Sequence, residues 1–247
     1  MVFDPVLESV NVLSVLATAA LVILTAKPCR ASGVPYLLAI PAGFGLMTVA
    51  FLVQAFEPFI VSFSQLLGSP VEAVWLLMQA YGALFLALAY ARRTRLPFLG
   101  ESTSAALLAA ALITIAFLGI TFLTPVAGPV NMASPNGAFF LRVVILAAFS
   151  YLTYETLRNW EMTQKASQGI VTIGFVFFLV EQLGFILAMW SLGSVAVFLA
   201  YEGRIMGLFL LNALLVLGIK KDDPIAVLRR LGLGARAHDR LQQTVAR

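Results

Sequence analysis

Seven long apolar runs, separated by short polar stretches, account for most of the chain. They cover residues 6–26, 34–56, 71–91, 103–123, 137–157, 169–190 and 194–219. A hydrocarbon core about 30 Å thick takes roughly 20 helical residues, and each run reaches that length. The pattern predicts an all-α polytopic membrane protein, a bundle of seven transmembrane helices occupying residues 1–221. Residues 222–247 are expected to form a short basic amphipathic cytoplasmic tail. In that tail Asp223 suits an N-cap and Pro224 the first helical position. Ile225, Leu228 and Leu231 then share a face that would lie on the inner leaflet.

Finer features follow from the same pattern. Pro41 in the second run should kink its helix. Glu57-Pro58 opens an apolar stretch too short to span, read as a surface helix or as an extension of the second segment. Residues 124–136 contain Pro125, Gly128, Pro129 and Pro135 and predict an irregular loop. The fourth run has no charge, and its alanines (Ala105, Ala106, Ala109, Ala110, Ala111) predict close packing on a neighbour. Gly203 and Gly207 form a small-residue packing motif in the seventh. The best internal match sets Gly82–Leu86 beside Gly207–Leu211. Parallel copies of segments one to three and five to seven would resemble the layout of seven-helix sugar transporters, but apolar helices match this well by chance, and no repeat is read from it.

Charge sets the expected orientation. Of the 16 Lys and Arg residues, all but Arg142 and Arg204 fall in the connections after runs one, three and five or in the tail. The positive-inside rule then places the N-terminus outside and the C-terminus in the cytoplasm. Trp75 and Trp190 are expected at the outer interface and Trp160 at the inner one. The opening MVFDPVLESV lacks the basic region of a cleavable signal, so the first run is expected to be retained. Cys29 is expected in a short cytoplasmic connection.

The candidate chemistry lies in the last two runs, which carry interior charge. Glu181 and Arg204 are equidistant from the turn between Leu192 and Gly193. In an antiparallel hairpin of equal rise, both then sit at one depth, roughly 15 Å from the turn at 1.5 Å per residue. An unpaired charge there costs about 3 kcal/mol or more, which predicts a Glu181–Arg204 ion pair, direct or bridged by Gln182 or water. Glu202 is about 200° round the helix from Arg204 and needs another partner, with Arg142 a candidate; Arg142 could instead snorkel outward. Gln54, Gln79, Asn11 and Glu8, with Tyr81, would line a polar cavity open to the outside. Tyr151, Tyr154, Glu155 and Arg158 would share one face near the cytoplasmic rim. The buried polar site is therefore assigned to Glu181, Arg204, Glu202, Arg142, Gln182, Gln79 and Gln54.

Composition narrows the function. The chain has 247 residues, of which 61% are hydrophobic and 11% charged, against about 25% charged in a soluble domain. The formal charge of +4 follows the loops and is no nucleic-acid signature. One cysteine (Cys29) and one histidine (His238) leave no disulfide framework, no intramembrane haem or zinc site and no expected cofactor. Every aspartate (Asp4, Asp222, Asp223, Asp239) lies outside the runs, which removes an aspartate-rich diphosphate site. No phosphate loop, dinucleotide motif or G-x-S-x-G occurs. Rhodopsins share the seven-helix layout with the N-terminus outside. The lysines nearest the seventh run, Lys220 and Lys221, fall at its cytoplasmic end, so none is placed to hold retinal.

The sequence thus predicts a multi-pass protein of the cell membrane without enzymatic activity. It would be a receptor-like or sensory seven-helix module with a buried polar site. A small transporter or channel, or a structural subunit of a larger membrane complex, is the alternative. The expected partners are the lipid bilayer, a cytoplasmic or membrane protein, and a small-molecule ligand, with no nucleic acid.

Overall fold

The computed structural model describes residues 5–63, 68–91, 104–123, 135–190, 193–216, 227 and 231. Their regular structure is helical throughout: α1 Pro5–Ala31, α2 Ala39–Phe63, α3 Gly68–Ala91, α4 Ser104–Leu123, α5 Pro135–Thr163, α6 Ala166–Met189 and α7 Gly193–Val216, with a 3-10 turn at Pro35–Leu38. Six of the seven are long and apolar enough to cross a membrane. In α4, expected as a seventh span, the apolar stretch among the described residues is the shorter Ala109–Ile120. Large apolar side chains such as Ile23, Ile115, Phe198 and Phe209 are exposed on the surface. Hydrocarbon solvates such a surface; water would not.

Several local expectations are revised. Pro41 sits in the first turn of α2, where its missing N–H has no intrahelical partner to lose, so it starts the helix without kinking it. Pro58 lies inside α2, which continues to Phe63; the stretch after Glu57 extends the second segment as far as it is described. α1 runs to Ala31 and keeps Cys29 within the helix, buried and free. Gly33 then reverses the chain at φ 63°, a backbone that glycine adopts without penalty. Ser32 Oγ accepts from Val34 N and donates to Cys29 O, which satisfies groups left open by the helix end. Of the irregular loop expected over 124–136, Pro135 and Asn136 instead open α5, with Pro135 at its first position; residues 124–134 and the capping residues Asp223 and Pro224 lie outside the described residues.

Six helices close into a ring. α1 packs on α2, α2 on α3, α3 on α5, α5 on α6, α6 on α7, and α7 returns to α1, while α4 touches α3 and α5 more sparsely from outside. Ala109 and Ala110 are half-buried and Ala111 is exposed, so these alanines do not make the close contact expected of them. Tyr81 bonds the Thr114 hydroxyl of α4. The ring's upper rim is taken here as the end where α1, α3, α5 and α7 begin.

The ring is built twice over. Asn11, Ser14, Thr18, Leu21 and Thr25 of α1 and Arg142, Ile145, Phe149, Leu152 and Thr156 of α5 stand at a constant separation in sequence, and all ten are buried. The same separation relates Gly43, Phe44, Met47, Ala50, Phe51 and Gln54 of α2 to Gly174, Phe175, Phe178, Glu181, Gln182 and Phe185 of α6, again all buried. A slightly shorter one relates Gln79, Gly82, Ala83 and Leu86 of α3 to Arg204, Gly207, Leu208 and Leu211 of α7. The glycine contacts repeat as well. A Cβ on Gly43 or on Gly82 would come within 2.8 Å of the other's carbonyl oxygen, and one on Gly207 within 2.9 Å of Gly174 O. Helices α1–α3 and α5–α7 are thus two like halves. They meet at two seams, α1 against α7 and α3 against α5. The weak match between Gly82–Leu86 and Gly207–Leu211 marks this repeat.

Below mid-height the ring is filled. Phe149 stacks on Phe178 with centroids 4.9 Å apart, and Phe175 meets Tyr90 edge-on at 6.1 Å. Val227 and Leu231 of the tail are buried with this cluster, and the Tyr90 hydroxyl donates to Leu231 O at 2.9 Å. Leu231 N closes one helical turn on Val227 O. Leu231 therefore faces protein and not the leaflet.

The seam between α6 and α7 allows a direct test. A Cβ on Gly203 would meet Phe177 O at 2.7 Å and Glu181 N at 2.9 Å, both backbone. Gly203→Ala should cost ~1–3 kcal/mol, read as a lower unfolding midpoint in mixed detergent. Gly119→Ala, whose Cβ meets nothing within 4 Å, should leave the midpoint unchanged or raise it slightly.

Candidate functional site: a polar layer across the ring

Each ring helix brings a buried polar side chain to one layer above the aromatic floor. These are Asn11, Gln54, Gln79, Arg142, Glu181 with Gln182, and Arg204, from α1, α2, α3, α5, α6 and α7 in turn. The surrounding helix faces are apolar, so each group must find its partner inside the layer.

Arg204 is the centre of the layer. Its Nε donates to Glu181 Oε1 at 2.7 Å, with both side chains fully buried. The two residues meet because the turn sets them at equal depth and Gly203 lets the backbones close on each other. Nη1 of Arg204 donates to Asn11 Oδ1 at 3.1 Å and to Gln54 Oε1 at 3.0 Å. Gln54 Nε2 reaches the Tyr201 hydroxyl at 3.4 Å. The Phe51 ring lies 4.4 Å from the guanidinium carbon and the Tyr201 ring 5.0 Å, close enough for cation–π attraction. One side chain thereby ties α6 and α7 to α1 and α2, that is, one half to the other. Asn212 adds a second tie across the same seam, donating to Ala17 O at 3.1 Å.

Arg142 occupies the other seam. It is buried, with its guanidinium carbon 4.1 Å from the Phe185 ring centroid and 5.6 Å from that of Trp75. Phe185 also lies 5.7 Å from the Arg204 guanidinium, so one ring stands beside both cations. Glu181 on one side and the half-buried Glu72 on the other act on Arg142 electrostatically. Glu57 lies near Glu72 in turn. A polar track therefore runs from Arg204 through Arg142 toward two carboxylates near the upper rim.

The layer is incompletely satisfied. Glu181 Oε2, Arg204 Nη2, Arg142 Nη1, Gln182 Oε1 and both amide atoms of Gln79 are buried with no hydrogen-bond partner in the protein. So is Glu8 Oε1, on the half-buried Glu8 one turn above Asn11. Native proteins pair nearly all such atoms, with ordered water where protein is lacking. So many in one layer mark a place where water or a polar ligand belongs. No group of His, Cys, Asp and Glu suited to a metal ion occurs among the described residues.

Of the site residues assigned from sequence, Glu181, Arg204, Arg142, Gln182, Gln79 and Gln54 all lie in the layer. Glu202 does not: it is exposed on the outer face of α7, because two residues along a helix turn it away from Arg204. Arg142 therefore neither pairs with Glu202 nor snorkels outward. Tyr81 faces α4, where its hydroxyl meets that of Thr114. Trp75 is buried within the ring, where Arg142 holds it, and does not join an interfacial belt. Tyr154 and Arg158 are exposed while Glu155 is buried, so the face expected at the lower end of α5 divides. The sequence reading missed Glu72 and the rings of Phe51, Phe185 and Tyr201. Glu72, an acid inside an apolar run seven residues before Gln79, carried a usable signal; the aromatics looked like ordinary lipid-facing or core residues.

The seven helices among the described residues, six of them of spanning length and apolarity, fit an integral membrane protein. Comparison with known proteins finds no matching family model, no matching curated protein and no matching solved structure.

Removing one partner of the central pair should expose its cost. Glu181→Leu alone should destabilise the protein by ~3–5 kcal/mol, since it strands a buried charge. Glu181→Leu combined with Arg204→Met should recover most of that loss. A double-mutant cycle from detergent unfolding measures the coupling, and additive effects would mean that the pair contributes nothing as a pair.

Proposed function

We propose that this chain is a receptor-like seven-span module of the cell membrane, with its N-terminus outside and its tail in the cytoplasm. In this reading α4 completes the seven spans and residues 222–247 form the cytoplasmic tail. A small polar ligand enters from the upper rim, past Glu57 and Glu72, and is held by the unpartnered groups of the central layer. The aromatic floor stops it there. A cytoplasmic or membrane protein partner, attached through the tail, carries the signal onward. The protein performs no catalysis.

The observation that carries this reading is the course of α3. One helix bears Glu72 near the upper rim, Trp75 and Gln79 below it and Tyr90 at its lower end, where the hydroxyl holds Leu231 of the tail. A helix is stiff along its axis. A shift of α3 by a ligand at its upper half is therefore delivered to the tail contact. Differential contacts in two states are what a switch requires, and Tyr90–Leu231 is a contact that can be made or broken.

A second reading, transport, is favoured by the like halves around the layer, since membrane carriers commonly place their sites between internal repeats at mid-membrane. It expects solute flux in liposomes that collapses on Glu181→Gln or Arg204→Gln.

The receptor reading is tested at the tail. Tyr90→Phe removes one hydrogen bond, a change of about 1 kcal/mol. It should raise the rate of limited proteolysis in residues 222–247 several-fold while the unfolding midpoint changes little. Crosslinking and pull-down from membranes should recover the same cytoplasmic partner with the native chain and more of it with Tyr90→Phe. A tail that recruits nothing in either form removes the receptor reading.

A further inference from the structure

The two seams between the halves can be compared position by position. At the α1–α7 seam, Arg204 and Asn11 bond directly at 3.1 Å. The equivalent positions at the α3–α5 seam are Gln79 and Arg142. Both are buried, 1% and 6% exposed. Arg142 is placed beside Trp75, which stands one turn from Gln79 on the same face of α3. Yet Arg142 Nη1, Gln79 Nε2 and Gln79 Oε1 all lack partners. Where one seam has a closed bond, the other has buried groups without a partner.

Charge says what the gap would take. The layer holds two guanidinium groups, Arg142 and Arg204, against one carboxylate, Glu181. Glu181 is committed to Arg204, which makes the one ion pair recorded among the described residues. Glu72 acts on Arg142 from the rim without forming an ion pair with it. Phe185 and Trp75 offer their ring faces to the cation but accept no strong hydrogen bond. A water could bridge Arg142 and Gln79 but would bring no charge to Arg142, on which Glu181 and Glu72 act without an ion pair. An acceptor carrying one negative charge satisfies the donors and the charge together.

We propose that the α3–α5 seam is a subsite for a small monovalent anion, either a halide ion or the carboxylate of a small organic ligand. Arg142 supplies the charge and a guanidinium N–H, and Gln79 supplies its amide N–H₂. Trp75 and Phe185 wall the site. The inference rests on the ligand pocket proposed above and names the chemistry that the pocket selects.

Trp75 reports on the site directly. A variant carrying Trp160→Phe and Trp190→Phe retains Trp75 as its one tryptophan. In lipid nanodiscs, at ionic strength held constant with sulfate, bromide should quench Trp75 fluorescence along a saturable curve. Chloride and acetate should both relieve the quenching if a carboxylate is accepted; chloride alone should do so if the site takes inorganic anions only. Either pattern supports the site and identifies its source. Arg142→Gln should shift the bromide midpoint upward by about tenfold or more, the loss expected for a charge-assisted bond. Gln79→Leu deletes two unpartnered polar atoms, so it should keep the fold and weaken bromide by about three- to tenfold, the loss of one neutral hydrogen bond.

Quenching that rises linearly without saturating, or midpoints unchanged in both variants, overturns the subsite. Access is read separately with a membrane-impermeant thiol reagent on Gln54→Cys in a Cys29→Ser background. Labelling without saturable bromide binding overturns the anion inference and leaves the pocket. Failure of both removes the pocket as well.

Discussion

A guanidinium halfway through an apolar bundle has few places to go. Arg204 is too deep in α7 to reach either surface, so its charge and its donors must be met by neighbouring helices. Glu181 answers the charge, Asn11 and Gln54 answer two of the donor positions, and Phe51 and Tyr201 surround what remains. Those partners come from α6, α1 and α2, and the rotation of all four helices is constrained by one side chain. The cost of stranding either charge, several kcal/mol by general experience, is comparable to a large part of a domain's net stability. Gly203, Gly184 and Ala200 serve the same end, because only small residues let α6 and α7 approach closely enough for a 2.7 Å contact.

The duplicated plan explains why the polar layer is lopsided. Burial and close glycine contacts recur in the two halves, so the backbones pack alike. The side chains at equivalent depths do not match: Ala50 stands where the second half has Glu181, Gln79 where it has Arg204, and Gln54 where it has Phe185. Across α1 and α5, Asn11 stands opposite Arg142. Packing needs only size and shape at these positions, and they are free to diverge in polarity. The outcome is one seam closed by hydrogen bonds from Arg204 and Asn212, and one seam whose polar groups at the same positions lack partners. A binding site of the kind proposed arises more readily from that inequality than from perfect symmetry, since symmetric seams would both be satisfied by the protein itself.

Below the layer the character of the interior changes from polar to aromatic within about two helical turns. Phe149, Phe175 and Phe178 fill the interior there, while the buried hydroxyls of Thr18, Thr25, Thr156 and Thr172 are each turned back onto the backbone of their own helix. α3 carries Gln79 in the layer, and its Tyr90 meets both Phe175 of the floor and Leu231 of the tail.

Sequence alone determined where the long apolar runs lie, six of the seven forming helices of spanning length, and the pairing of Glu181 with Arg204. Run length follows from the thickness of hydrocarbon, and depth on either arm of a hairpin follows from counting residues from its turn; neither needs a third helix. Sequence did not determine which way each helix is rotated. Rotation is decided by contacts among all six ring helices at once, and it turned Glu202 outward, Tyr81 toward α4 and Trp75 inward. The repeat was nearly invisible for a related reason: its halves kept which positions are buried and where glycines meet, while residue identity drifted, and burial is a property that only the assembled ring confers. The open seam at Gln79 and Arg142 is likewise a tertiary fact, since it exists only where two helices distant in the chain bring unpaired groups to the same depth.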